Sequence, residues 1–325
     1  MRIQVICPAP PRSLYGIRVT AVRWSRMLRG LGHSVEISQH YGGTICDLLV
    51  ALHAHYSAKA VIEFRQRHPE KPSVLVLTGT DIYDDSFRSP EARKAMETAD
   101  RLVTFQPLSA QEVPEDLRGK VRPIYQSAEQ TSDSGEPDRN SFVVSVVGHL
   151  RDVNDPLRAA LASRRLPQDS RIRVVQAGYA YEGELVDRAR AEAMKNPRYR
   201  YLGSIPRWKV RRLIADSHLL VVSSRIEGGA NVISEAAVDY VPILASKIPG
   251  SVGLLGEDYP GYFPPGDTKA LAELMIRAET DPVFYQELKT KCALLARLFR
   301  PERERTAWKK LIKELSKVKR KATSR

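Results

Sequence analysis

The 325-residue chain has little cysteine: Cys7, Cys46 and Cys292, odd in number and far apart. They supply neither a disulfide framework nor a metal-ligand spacing. At Cys7, after the first strand-like run, a small buried apolar side chain outweighs a catalytic thiol. The chain also lacks any stretch of about 20 uninterrupted apolar residues, the length a membrane helix needs. Met1-Arg2-Ile3-Gln4-Val5-Ile6 runs straight into a strand pattern without the apolar segment of a signal peptide. The expectation is a cytoplasmic protein with no membrane partner. Acidic residues are in deficit, 38 Asp and Glu against 51 Lys and Arg, for a net charge of +13. More than half of that excess lies in residues 301–325, a tail that reads as a solvated, partly disordered extension. The modest remainder comes with no helix-turn-helix or RNA-binding signature, so no nucleic-acid partner is expected.

What is present is an alternation of short β-branched runs and amphipathic stretches, the pattern of an α/β fold with parallel sheets. Strands are expected at Ile3–Cys7, Val35–Ser38, Leu48–Leu52, Val74–Leu77, Arg101–Phe105 and Val121–Ile124. After the polar stretch Ser127–Asn140, which reads as a linker, a second series follows at Phe142–Val147, Ile172–Gln176, Tyr199–Leu202, Leu219–Ser223 and Ile243–Ala245. The length suits two domains of roughly 150 residues. They are expected at 1–138 and 139–300, each doubly wound, with a closing helix and basic tail over 301–325. A ligand site is then expected in a central cleft, at the carboxyl ends of the strands.

The segment Ser223-Ser224-Arg225-Ile226-Glu227-Gly228-Gly229-Ala230-Asn231-Val232-Ile233-Ser234-Glu235 carries the most chemistry. An apolar strand ends at Ser223, and a helix begins near Asn231. Glycines at that junction let a ligand approach the backbone, and the first N–H groups of a helix favour an anion. Glu227 can accept hydrogen bonds from sugar hydroxyls, and Glu235 can clasp the hydroxyls of a ribose. The same spacing also fits a plain strand–loop–helix connection with an acid favoured by the helix dipole.

Glu227 and Glu235, within Glu-Gly-Gly-x-Asn-Val-x-Ser-Glu-Ala, resemble the E-x7-E signature of retaining GT-B glycosyltransferases. Tyr201-Leu202-Gly203-Ser204-Ile205, Val241-Pro242-Ile243-Leu244-Ala245-Ser246 and Phe263-Pro264-Pro265-Gly266-Asp267 resemble further segments of that family. The resemblance spans nearly all of residues 1–300. It implies two Rossmann-like domains and a nucleotide-sugar substrate with no metal or other cofactor. It also implies that Glu227 contacts the donor sugar, and that the backbone of Gly228, Gly229, Ala230 and Asn231 approaches sugar and phosphates. Glu235 would hold the ribose, Ser204 and Ile205 the base, and Gly16 the diphosphate. One stretch departs from the family. Where its members carry G-R-L-x-x-x-K, this chain reads Gly148-His149-Leu150-Arg151-Asp152-Val153-Asn154. Two fixed cations are missing where the leaving group gains charge, so Arg151, Arg225, Arg18 and His149 are candidates to compensate, with Asn154 at the former Lys position.

A narrower resemblance rests on Pro8-Ala9-Pro10-Pro11-Arg12-Ser13, Leu77-Thr78-Gly79-Thr80-Asp81, Tyr125-Gln126-Ser127 and Ile248 to Phe263. Together with Gly148 to Arg151, these stretches are similar to the bacterial selenosugar synthases of selenoneine biosynthesis. That similarity implies UDP-N-acetylglucosamine or UDP-glucose as donor and selenophosphate as acceptor. A small anion of that kind needs cations and hydroxyls, for which Arg12, Arg18, Thr78 and Thr80 are the candidates, with Arg23 nearby. His53 is a candidate general base or anion donor; Asp81 reads as a cap. Two alternatives stay open: an O-glycosyltransferase acting on a carbohydrate or lipid-linked acceptor, and a catalytically silent nucleotide-sugar or nucleic-acid binding protein.

Overall fold

A computed structural model describes residues 1–85, 88–132, 135, 140–179 and 183–322, with side chains placed through Lys317. The chain folds into two compact units, Met1–Gln126 with Pro301–Arg325, and Ser127–Arg300. In the first, β1 (Arg2–Ile6), β2 (Ser34–Ser38), β3 (Leu48–Leu52), β4 (Ser73–Val76), β5 (Arg101–Thr104) and β6 (Val121–Pro123) form one sheet ordered β2-β1-β3-β4-β5-β6. Every pairing in it is parallel. Central strands in such a sheet are covered on both faces, which is why Leu48-Leu49-Val50-Ala51-Leu52 is apolar without alternation and entirely buried. The second unit repeats the plan. Its strands are β7 (Phe142–Val147), β8 (Ile172–Ala177), β9 (Tyr199–Tyr201), β10 (Leu219–Val222), β11 (Ile243–Ser246) and β12 (Tyr262–Phe263). They are ordered β12-β11-β10-β7-β8-β9, again all parallel.

These orders fix where loops converge. Doubly wound sheets bind ligands at the carboxyl ends of the strands where the winding direction reverses, because the flanking loops diverge there. In the second unit that point lies between β7 and β10, so the segments after Val147 and Val222 flank it. In the first it lies between β1 and β3, flanked by the segments after Ile6 and Leu52. Four non-glycine residues among those described have positive φ: Arg12, His53, Asp155 and Tyr240. Three of the four lie on these flanking segments, where a strained backbone is held by its surroundings.

Two features differ from the expectations. The units divide at Gln126/Ser127 rather than at residue 138, because the start of the polar stretch is tied down within the second unit. The N–H of Ala128 donates to the Phe299 carbonyl at 3.0 Å, and Thr131 donates its N–H and hydroxyl to Asp239 at 2.7 and 2.8 Å. Residues 133–134 and 136–139 of that stretch lie outside the described residues. The expected closing helix is Pro301–Ala322, and it runs on into the basic tail where a partly disordered extension was expected; residues 323–325 lie outside the described residues. Its apolar stripe, Trp308, Leu311 and Leu315, packs into the first unit's core. There Trp308 meets Trp24 edge-on at 4.8 Å between ring centroids.

Candidate active site

In the second unit, Glu227 lies on the segment after β10, beside the segment after β7. The Arg225 N–H donates to the Val153 carbonyl at 2.7 Å, and Ser223 Oγ donates to the Asp155 carbonyl at 2.8 Å. Asn154 Nδ2 donates to Ser224 Oγ at 3.4 Å. The Glu-Gly-Gly loop and the Gly148–Asn154 stretch are therefore one structure. Asn154 helps to stitch it, and its side chain is committed to Ser224. Two glycines make the close packing feasible. A Cβ on Gly250 would stand 1.9 Å from the Glu227 carbonyl oxygen, and one on Gly178 would stand 1.8 Å from the Gly148 carbonyl oxygen.

Burial raises the Glu227 carboxyl to about 7. The Gly229 amide, the Arg151 guanidinium and the Gly228 amide all pull it down without offsetting that burial. Arg151 itself is exposed, as is Arg225, whose Nε stands 3.8 Å from Asp155. These two guanidiniums are exposed cations near the Glu-Gly-Gly loop, and His149 is partly buried beside Arg151 in the sequence. The helix Asn231–Val238 follows, with Ala230 at its N-cap and no side chain capping it. Ser204 and Ile205 follow Gly203, whose φ of +67° turns the chain after β9, and whose carbonyl accepts from the Gly178 N–H at 2.9 Å. One partner was not foreseen: Glu235, 3% exposed at its side chain, pairs with Arg207 at 2.7 Å. The two are 28 residues apart, and no local pattern links them.

In the first unit, Thr78, Thr80 and His53 converge at the ends of β3 and β4. His53 Nε2 is 3.2 Å from Thr80 Oγ1. Asp81 is fully buried and accepts from the N–H groups of Ala54, Thr78 and Gly79, each at 2.8 Å, so it latches two strand ends together. It lies inside the short helix Thr80–Tyr83, which is why it serves as a latch rather than an N-cap. Residues 53–57 form turns, which carry His55 to Ser89 at 3.3 Å.

Gly16 opens the helix Gly16–Gly30, and Arg12 is exposed on the segment before it. Arg18 stands beside Cys7, whose thiol burial pushes up. Arg18 Nε and Ser13 Oγ are both buried without a hydrogen-bond partner. Arg23 belongs to a different cluster. It pairs with the buried Glu304 at 3.2 Å and donates to Gln126 at 2.9 Å, tying the last helix to the first unit. Among the described residues no group of three or more His, Cys, Asp or Glu is placed to hold a metal, and no helix is long and apolar enough to cross a membrane.

Two parallel six-stranded units, with a Glu-Gly-Gly loop beside the second unit's winding reversal, have the architecture of the GT-B glycosyltransferases. The chain belongs to the group 1 glycosyl transferases, whose family model matches residues 127–295. Among solved structures it is similar to the sucrose-phosphate synthase of Thermosynechococcus elongatus, with a TM-score of 0.79 and 14% identity over 98% of this chain and 99% of that one. Anabaena HepE, solved with UDP and glucose, gives 0.74 and 17% over 98% and 100%. The pneumococcal O-GlcNAc transferase GtfA, solved with UDP and GlcNAc, gives 0.66 and 15% over 91% and 60%. At these identities the likeness establishes the shared fold.

Proposed function

We propose that the enzyme transfers N-acetylglucosamine or glucose from a UDP donor to selenophosphate. The selenium would attack the anomeric carbon, forming a C–Se bond as the C–O bond to UDP breaks. Water then takes the phosphoryl group from selenium, leaving phosphate and a 1-seleno-sugar. Support for the donor comes from the Glu227 loop and from HepE and GtfA, which share the fold and were solved with UDP and a sugar. In this reading Glu227 accepts hydrogen bonds from the sugar hydroxyls, and the Gly228–Asn231 backbone approaches the sugar and phosphates. Arg151, Arg225 and His149 neutralise the diphosphate in place of the family's usual pair.

The observation that carries the acceptor is the pair of unsatisfied donors, Arg18 Nε and Ser13 Oγ, on the segment flanking the first unit's winding reversal. Buried polar atoms without partners are rare and costly, and in this reading a small anion is the partner they lack. Arg12, Thr78, Thr80 and His53 would complete the acceptor's surroundings. The test incubates the protein with each UDP-sugar and enzymatically generated selenophosphate, then searches by mass spectrometry for a product with the selenium isotope pattern. A seleno-sugar with stoichiometric UDP supports the reading. UDP release onto a hydroxyl acceptor, without any seleno-sugar, overturns the acceptor and leaves the glycosyltransferase.

A further inference from the structure

His53 and Thr80 reach each other from two strand ends whose backbones are fixed. The His53 N–H donates to the Val76 carbonyl at 2.8 Å, and the next amide, that of Ala54, donates to Asp81 at 2.8 Å. The same carboxylate takes the Thr78 and Gly79 amides, so it secures the chain on either side of Thr80. His53 is buried with a φ of +73°, a conformation that a side-chain-bearing residue holds only where its surroundings impose it. Those surroundings include Tyr56. Its ring lies against the imidazole at 4.4 Å between centroids, and its backbone N–H donates to His53 Nδ1 at 3.4 Å.

An imidazole nitrogen that accepts a hydrogen bond carries no proton, so the neutral ring has its proton on Nε2. That nitrogen is 3.2 Å from Thr80 Oγ1, which accepts from it. A hydroxyl offers one proton and two lone pairs. With a lone pair of Thr80 taken by His53, its proton is turned away from the imidazole, and among the described residues it meets no other acceptor. Thr78 is in the opposite position. Its hydroxyl donates to Asp81 Oδ1 at 3.3 Å, and it has no second proton. We propose that Thr80 is the hydroxyl that donates to the acceptor anion and that His53 is a positioning residue aiming it, while Thr78 lines the site without donating. The proposal rests on the small-anion reading above, not on selenium. It also removes His53 as a general base: Nε2 already carries a proton, and Nδ1 is turned to the Tyr56 backbone.

The experiment is a double-mutant cycle read by calorimetric titration of thiophosphate into the full-length protein saturated with UDP. Thr80→Val keeps the shape and removes the hydroxyl. It is expected to weaken thiophosphate about tenfold, the scale of one hydrogen bond to a charged group, and Thr80→Ser is expected to stay near wild type. His53→Asn suits the positive φ, but its shorter side chain gives up the bond to Thr80; a loss of about threefold is expected. The double variant is expected to match Thr80→Val alone, because His53 acts through the hydroxyl that is gone. Additive losses overturn the proposal, since His53 would then act on the anion independently of Thr80. So would a Thr80→Val variant that binds as wild type does, a Thr80→Ser variant as weak as Thr80→Val, or a wild type that binds no thiophosphate. A wild type that binds thiophosphate with the expected pattern yet makes no seleno-sugar supports this proposal and removes selenophosphate as the acceptor.

Discussion

Each unit places a buried or half-buried carboxylate at its strand ends, and the two are treated in opposite ways. Asp81 in the first unit receives three backbone N–H groups from two different strand ends. Glu227 in the second has the amides of Gly228 and Gly229 and the charge of Arg151, and its burial is left uncompensated. A carboxylate whose lone pairs are filled by its own fold is a fastener. One whose burial outweighs its partners is held ready for something the fold does not supply. The contrast separates the residue that builds the first unit's strand ends from the residue proposed to act in the second.

Disabling the fastener is expected to have the largest effect on stability. Asp81→Asn keeps the shape but sets an NH2 group against either the Ala54 N–H or the Thr78 and Gly79 pair. A loss of about 3 kcal/mol is expected from clashing and unsatisfied buried donors, read as a lower midpoint of urea unfolding. Stability unchanged within experimental error would show that Asp81 is no latch. Gly250→Ala tests the other side of the contrast. With the Glu227 carbonyl 1.9 Å from the new Cβ, the loop must move, and misplacement by about 1 Å costs on the order of 100-fold in turnover. Activity at the wild-type level would mean that the position of the Glu227 loop is not critical.

Smaller effects follow from the pH dependence. The carboxyl of Glu227 is raised from its unfolded value of 4.5 to about 7. Its contribution to stability is therefore present below pH 4.5 and lost as pH rises through 7. Glu227→Gln, which removes the titration, is expected to be more stable than wild type above pH 7, with the gap closing toward pH 5. Thermal unfolding across that range measures it, and a parallel offset at every pH contradicts the assignment. Because Arg151 lowers the Glu227 carboxyl, Arg151→Ala is expected to move the acid limb of kcat/KM to higher pH, the smallest of these changes. A limb that stays in place would detach Arg151 from Glu227.

The fold was legible because its central strands are uninterrupted β-branched and leucine runs. Phe142–Val147 coincides with the expected strand, and Leu48–Leu52 does too. β12 escaped because two residues, Tyr262 and Phe263, carry no periodicity. The helix Pro90–Thr98 has a start that is readable in sequence, Ser89 accepting from the Ala92 N–H with Pro90 at the first position. Within the site, the Glu227 loop was visible because loop and helix are contiguous in sequence. The stitching of Asn154 to Ser224, and of Glu235 to Arg207, joins residues 70 and 28 positions apart. Only the strand order brings such partners together. Cys7 illustrates the converse: buried beside Arg18, it is the small core residue that its apolar context implied.

The central claim is that Glu227 reads the sugar of the donor and not its nucleotide. Binding of UDP and of the preferred UDP-sugar to wild type and to Glu227→Gln, at pH 8 where the carboxylate is ionised, tests it most directly. The account predicts that UDP affinity changes by less than about threefold, while the sugar's added affinity and the turnover fall by about tenfold or more. Equal loss of affinity for UDP and UDP-sugar, or a Glu227→Gln variant that binds and turns over as wild type does, would contradict it.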